Sequence, residues 1–203
     1  MKIITEGDFE FRFPTGWEAV KYDGEKDKPG PLNYYQRCIE PINSIKAVDI
    51  VAAPNHRIIA VSGTPAYRLI LLEVKDFRED DADLQKKIEE EHFPLEVVQK
   101  TLHTLSGLYL GVRAGDPELA LFREQLLGLP TELEAVLFLE QIPVRRLPSD
   151  RGYSFALNAR TKQRQGIARR LKSALKPLGF RCSLVDASSV SPATGWQVVH
   201  KPA

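Results

Sequence analysis

The sequence predicts an α/β protein in which a mixed central β-sheet is flanked by helices. Short apolar runs bounded by turn residues indicate strands between residues 46 and 77. A helical spacing of apolar residues follows in residues 95–109 and 161–176, and strand-like runs return at 134–144 and 180–185. Because strand-forming and helix-forming segments are mixed along the chain, the helices are expected to pack against the sheet.

The first 45 residues are predicted to contain a hairpin, a loop and one short helix. Phenylalanines alternate with polar residues in residues 9–13, which indicates a short hairpin or loop over residues 1–16. Residues 23–31 are polar and rich in Pro and Gly, which is typical of a loop. The short helix is expected on one side of that loop, in Trp17–Tyr22 or in Leu32–Ile39.

Three strands joined by short turns come next. They are predicted at Lys46–Ala53, Arg57–Ser62 and Tyr67–Phe77, and they read as an antiparallel meander. The charged stretch Arg78–His92 is dominated by Glu and Asp, which predicts a solvated helix or a mobile insertion.

Helices and strands alternate in the second half of the chain. Helices are predicted at Leu95–Tyr109, Asp116–Leu127 and Thr161–Lys176. In the first of them, the apolar residues spaced three and four apart are Leu95, Val98, Leu102, Leu105 and Tyr109. Strands are predicted at Glu134–Val144 and Phe180–Val185, and short strands are also considered at Arg151–Leu157 and Gly195–His200.

Length and composition fit a single α/β domain of 203 residues. Within it we separate an N-terminal extension (residues 1–31), a core (residues 32–185) and a C-terminal extension (residues 186–203). The start of the chain has no signal-peptide pattern, and no apolar run approaches the ~20 residues of a membrane span. A cytoplasmic protein without a membrane partner is therefore expected. A homodimer is left open.

Two predicted strands carry charged residues among apolar ones. In the third strand, Leu71 shares a face with Glu73 and Lys75, because side chains alternate between the two faces of a sheet. In the first strand, Asp49 lies among apolar neighbours. Buried charges are costly unless they pair with an opposite charge or bind a metal, so both positions are candidates for a functional site.

The types of these residues suit phosphodiester hydrolysis. If the two strands align, Asp49 and Glu73 approach each other on one face, and two carboxylates with a backbone carbonyl form an oxygen-rich site for Mg²⁺ or Mn²⁺. The ammonium group of Lys75 would then orient the attacking water or steady the phosphate oxygens. A metal at this place lowers the pKa of the water and neutralises charge on the phosphoryl group.

With Asp49 on one strand and Leu72-Glu73-Val74-Lys75 on a later one, the sequence resembles the PD-(D/E)xK nucleases. The resemblance implies the restriction-endonuclease-like fold with an α-β-β-β-α-β core, and divalent-metal-dependent cleavage of nucleic acid. It implies that Asp49 and Glu73 bind the metal and that Lys75 is catalytic. This family often adds a Glu from the first helix, for which Glu40 and Glu18 are both candidates. The extra strand Arg57–Ser62 would keep the motif apart if it lay between the other two.

Basic residues accumulate in the last third of the chain. Eleven of them accompany a single acid, Asp150: Arg145, Arg146, Arg151, Arg160, Lys162, Arg164, Arg169, Arg170, Lys172, Lys176 and Arg181. A basic helix face attracts phosphates, so Arg164, Arg169, Arg170 and Lys172 are the candidate nucleic-acid contacts, with DNA favoured over RNA. A solvated helix face is the alternative interpretation.

Three functions therefore stay open at this point. The first is a Mg²⁺-dependent nuclease acting through Asp49, Glu73 and Lys75. The second is a catalytically inactive nuclease-like domain that binds nucleic acid or another protein. The third is an α/β domain in which the pair Glu73 and Lys75 is a surface ion pair, which is worth only ~0–1 kcal/mol.

Overall fold

The computed structural model describes residues 1–24, 31–60, 63–79, 81–89, 92–144, 152–190 and 194–201. The strands are β1 (Lys2–Glu6), β2 (Phe9–Phe13), β3 (Trp17–Lys21), β4 (Ile50–Pro54), β5 (Ile58–Ile59), β6 (Pro65–Phe77), β7 (Thr131–Gln141), β8 (Phe180–Val185) and β9 (Gln197–His200). The α-helices are α1 (Asp81–Glu89), α2 (His92–Ala114), α3 (Arg123–Leu127) and α4 (Tyr153–Leu175). A mixed α/β architecture is thereby confirmed.

The central sheet has the strand order β3-β4-β6-β7-β8. Neighbours are antiparallel from β3 to β6, and β6, β7 and β8 are parallel. The short β5 pairs only with the first residues of β6, outside this order. The predicted extra strand therefore does not separate β4 from β6, which are direct neighbours with Ile50 opposite Leu72.

Both faces of the central sheet are buried, each against a different layer. On one face, Leu69 and Leu71 pack in a core that includes Leu84 of α1, Val97 of α2 and Leu171 of α4. On the other face, residues of β4, β6 and β7 pack against a small sheet of order β1-β2-β9. A strand buried on both sides reads as a continuous apolar run, which explains the composition of β6.

The small sheet owes its packing to the alternating phenylalanines near the N-terminus. Phe9 and Phe11 lie edge-on to Phe138 of β7, with ring centroids 4.9 and 5.2 Å apart. Phe13 and Trp196 complete this second core. The predicted N-terminal hairpin and the strand at the C-terminus are thus both present and belong to one sheet.

Some predicted elements differ from the structure. Of the two places predicted for the short helix, Trp17–Lys21 is a strand of the central sheet, and the second, Leu32–Ile39, contains a single π-helical turn at Tyr35–Ile39. Arg151–Leu157 is not a strand, because α4 already begins at Tyr153. The helix predicted at Asp116–Leu127 is reduced to a 3₁₀ turn followed by α3.

The apolar spacing in α2 identifies the helix and part of its buried face. Of the five predicted positions, Val98 is buried and Leu102 and Leu105 pack against the core, whereas Leu95 and Tyr109 are exposed. The inward face also contains Gly107 and Gly111, where an added Cβ would lie 2.8 Å from the Tyr22 hydroxyl and 2.5 Å from a Leu119 methyl, respectively. These small residues let α2 approach its neighbours closely and extend the buried face beyond the apolar positions.

Part of the predicted loop at residues 23–31, namely 25–30, lies outside the described residues. Within the described ranges, no helix is both long and apolar enough to cross a bilayer.

Candidate functional site

Asp49 lies immediately before β4, in a segment held on both sides. The backbone N–H of Tyr22 donates to the Asp49 carbonyl at 2.8 Å. From the helical layer, Thr104 Oγ1 accepts the N–H of Val48 at 2.9 Å, and His103 Nδ1 accepts that of Lys46 at 3.2 Å. The position of the Asp49 side chain is therefore set by both β3 and α2.

The register between β4 and β6 brings the predicted residues together. Ile50 pairs with Leu72 in an antiparallel register. Asp49 and Glu73 are therefore the next residues along the two strands and lie across from each other. Asp49 Oδ2 accepts the backbone N–H of Val74 at 2.5 Å. The Asp49 carboxylate thus reaches across to the strand that carries Glu73 and Lys75, on the face covered by helices.

Glu73 is a fully buried carboxylate with an asymmetric environment. Its Oε1 lies 2.9 Å from Lys75 Nζ and 2.6 Å from the Nζ of Lys100, a residue of α2. Its Oε2 is equally buried and has no hydrogen-bond partner among the described residues. A surface ion pair, the third interpretation of the sequence, does not describe this arrangement.

A further carboxylate, Asp23, lies beside Asp49. It lies two residues beyond the end of β3, and its carboxyl group interacts with that of Asp49. Burial, together with the nearby Glu6, raises the pKa of Asp23 to about 6. Its Oδ1 is buried and finds no partner within the described part of the chain. Asp23, Asp49 and Glu73 therefore form a row of acids in the protein interior.

The ionisation of the site reflects burial and mutual repulsion. Burial raises the pKa of Asp49 well above its usual value, and the charge of Glu73 adds to the effect. For Lys75, burial lowers the pKa, but the contact with Glu73 outweighs it and the net shift is upward. Lys75 is therefore an ammonium group at neutral pH, suited to binding an anion rather than to accepting a proton.

Asp49, Glu73 and Lys75 are thus neighbours, as the sequence suggested, while their roles stay predictions. The two candidate extra acids lie away from this site. Glu18, on β3, contacts Lys2 and Asn55. Glu40 is exposed and follows the π-helical turn.

Sequence reasoning missed Asp23 and Lys100. Asp23 falls in the predicted loop at residues 23–31. Lys100 lies on the inward side of α2, where apolar spacing does not mark a charged residue.

The oxygen atoms fit a hard divalent cation. Mg²⁺ typically binds proteins through one or two carboxylates and keeps several waters, and the buried Oε2 of Glu73 beside Asp49 offers such ligands. Among the described residues, no three His, Cys, Asp or Glu side chains are grouped so that they could hold a metal ion. A cation here would accordingly rest on Asp49, Glu73, backbone oxygen and water.

The four predicted nucleic-acid contacts of α4 separate into two kinds. Arg164 points inward: its guanidinium donates to the Leu139 carbonyl at 2.9 Å and pairs with Asp186 at 3.0 Å. Arg169, Arg170 and Lys172 are exposed. Arg145, Arg146 and Arg151 lie outside the described residues. Of the four, only Arg169, Arg170 and Lys172 therefore belong to the exposed surface of α4.

Comparisons with known proteins add no relative: no family model, curated protein or solved structure matches the chain.

Proposed function

We propose that the protein is a divalent-metal-dependent nuclease in which Asp49 and Glu73 bind Mg²⁺ or Mn²⁺ and Lys75 acts at the attacking water. One observation carries the proposal: a fully buried Glu73 lies across from Asp49 and leaves Oε2 without a hydrogen-bond partner in the described residues. An isolated buried carboxylate oxygen is costly, and a cation is the ligand that compensates it.

The topology supports the same family that the motif resembles. The antiparallel pair of β4 and β6 carries the acids, α2 covers them, and β7 returns parallel to β6. In chain order, β3, β4, β6, α2 and β7 agree with the β-β-β-α-β part of the restriction-endonuclease-like core, whereas no helix precedes β3 among the described residues. On this basis we propose that fold for the chain.

The chain's own residues would act as follows. Asp49, held by the Val74 N–H, and Glu73 present oxygens to the cation. When bound, a divalent cation lowers the pKa of water and neutralises charge on the phosphoryl group. Lys75, kept protonated by Glu73, orients the water and holds it near the phosphate. The Val48 N–H, which donates to Thr104 Oγ1, and the Asp49 carbonyl, which accepts the Tyr22 N–H, fix the segment that carries Asp49.

A second candidate is a catalytically inactive nuclease-like domain that binds nucleic acid or another protein. Lys100 favours it, because its ammonium group lies 2.6 Å from Glu73 Oε1 and provides the carboxylate with a second counter-charge. In that case the buried charges would serve the fold alone.

Metal dependence of the wild-type protein distinguishes the two candidates. We expect metal-free protein in EDTA to leave DNA intact and to cleave it after addition of Mg²⁺ or Mn²⁺. The measurement is a gel assay on single-stranded and double-stranded DNA and RNA, together with Mn²⁺ binding by electron paramagnetic resonance. No cleavage of any substrate together with no Mn²⁺ binding would rule out the nuclease and leave the inactive domain.

The exposed basic residues of α4 are expected to contact phosphates. Replacing Arg169, Arg170 and Lys172 together with glutamine should weaken DNA binding and reduce the slope of log affinity against log salt by roughly 1 per lost contact. The matched control is Arg164→Gln, which removes one positive charge of the same helix from an internal position. We expect it to lower the free energy of unfolding by about 1–3 kcal/mol and to leave the salt slope unchanged. Equal effects of both variants on the slope would contradict the assignment.

A further inference from the structure

Lys100 is placed in the site by the inward face of α2. It lies on the helix between Val97 and Thr104, both buried, and its side chain is only 14% exposed. Its Nζ lies 2.6 Å from Glu73 Oε1, closer than the Nζ of Lys75 at 2.9 Å. The lysine that the sequence motif contains is therefore one of two at this carboxylate.

Two ammonium groups on one oxygen exceed what a single carboxylate needs for neutralisation. Both contact the same atom, so they lie at most about 5.5 Å apart and repel each other. The carboxyl groups of Asp49 and Asp23 also interact electrostatically with Lys100, so the two lysines carry no excess positive charge in the metal-free site. A divalent cation on Asp49 and Glu73 would take up that negative charge and leave both ammonium groups available to a further anion.

A polar cavity of about 380 Å³ lies between α1 and α2. It is lined by Lys46, Lys87 and Glu96, among others, and not by Lys75 or Lys100 themselves. Glu96 also interacts electrostatically with Lys75, which places the cavity next to the site. A phosphate group of a nucleic acid fits the charge and the position.

We propose that Lys100 is a second catalytic ammonium of the site, which contacts a non-bridging oxygen of the scissile phosphate while Lys75 orients the attacking water. The inference rests on the proposed nuclease function. It divides the anion-binding work between β6 and α2, so that the helix covering the site also takes part in the reaction. Glu73 Oε1 holds both lysines in position, and Oε2, which has no hydrogen-bond partner among the described residues, would be the oxygen that holds a cation.

The test replaces Lys100 with glutamine, which keeps a hydrogen-bond donor for Glu73 and removes only the charge. We expect the single-turnover rate at saturating DNA to fall about 10²-fold, the size of loss typical for one electrostatic donor. Mn²⁺ affinity, measured by electron paramagnetic resonance, should stay equal or rise, because a repelling charge is gone. Lys100→Arg should recover part of the rate. Lys2→Gln is the matched control, since it removes an exposed charge that contacts Glu18 and lies away from the site.

Each outcome has a defined meaning. A folded Lys100→Gln protein that cleaves at the wild-type rate would overturn the inference and leave the nuclease intact. Loss of Mn²⁺ binding together with the rate would also overturn it, because Lys100 would then only maintain the metal site. A wild-type protein that neither cleaves nor binds Mn²⁺ overturns the proposed function and the inference with it. If Lys100→Gln fails to fold, Lys100→Arg is the variant that tests the inference. Cleavage by Lys100→Arg at part or all of the wild-type rate supports a positively charged contact, and loss of both cleavage and Mn²⁺ binding rejects that contact.

Discussion

Asp49→Asn is expected to reduce metal-dependent cleavage by about 10²–10³-fold while the protein stays folded. The amide has the shape of the carboxylate and can still accept the Val74 N–H, so the bond between β4 and β6 survives. The substitution also avoids the cost of an ionised carboxylate at this position, which burial and the charge of Glu73 both disfavour. The free energy of unfolding without metal should therefore equal or exceed that of the wild type.

The decisive measurement is thermal unfolding with and without Mn²⁺, alongside the cleavage assay. A ligand that binds only the folded state stabilises it, so Mn²⁺ should raise the unfolding temperature of the wild type but not of Asp49→Asn. Glu18→Gln is the matched control, because Glu18 is an acid of the adjacent strand that lies away from the site. A Mn²⁺ effect retained in Asp49→Asn, or lost in Glu18→Gln, would contradict the site as proposed.

The strands that form the site could be predicted because their burial leaves a strong compositional signal. Residues of β6 face a core on both sides, so the strand is a long apolar run in which Glu73 stands out. Asp49 is conspicuous for the same reason, since the residues of β4 that follow it are all buried. The contact between the two acids needed the register, which the sequence does not contain.

Asp23 and Lys100 could not be found in this way, because each depends on long-range packing. Asp23 reaches the site only because β3 pairs with β4 as the edge strand of the central sheet. The five residues of β3 resemble a short helix as much as a strand. Lys100 lies on a helix face where Thr and Gly are mixed with apolar residues. The Thr and Gly residues are buried because they allow close approach, so a hydrophobic pattern marks only part of this face.

The error at the start of α4 also comes from exposure. The first turns of α4 are exposed, so Phe155 and Leu157 lack the periodic burial by which a helix is recognised, and the sequence favours a strand there.

Glu73→Ala is expected to destabilise the protein by about 3 kcal/mol or more, independently of any metal. The substitution leaves Lys75 and Lys100 without their shared partner, and both are largely buried, with 24% and 14% of their side chains exposed. Removing one partner of a buried ion pair is much more costly than replacing the whole pair, because it leaves uncompensated charge. Urea unfolding at neutral pH in EDTA measures this loss without contribution from a cation.

Asp76→Ala provides the matched control on the same strand. Asp76 pairs with Arg78 near the surface, and its loss should cost only about 0–1 kcal/mol. The double variant Glu73→Met with Lys100→Met should be more stable than Glu73→Ala, because one of the two stranded charges is removed as well. If Glu73→Ala were no more harmful than Asp76→Ala, Glu73 would not be the buried centre of the charge network. The two lysines would then need another source of compensation, and the case for a cation at Glu73 Oε2 would fall with it.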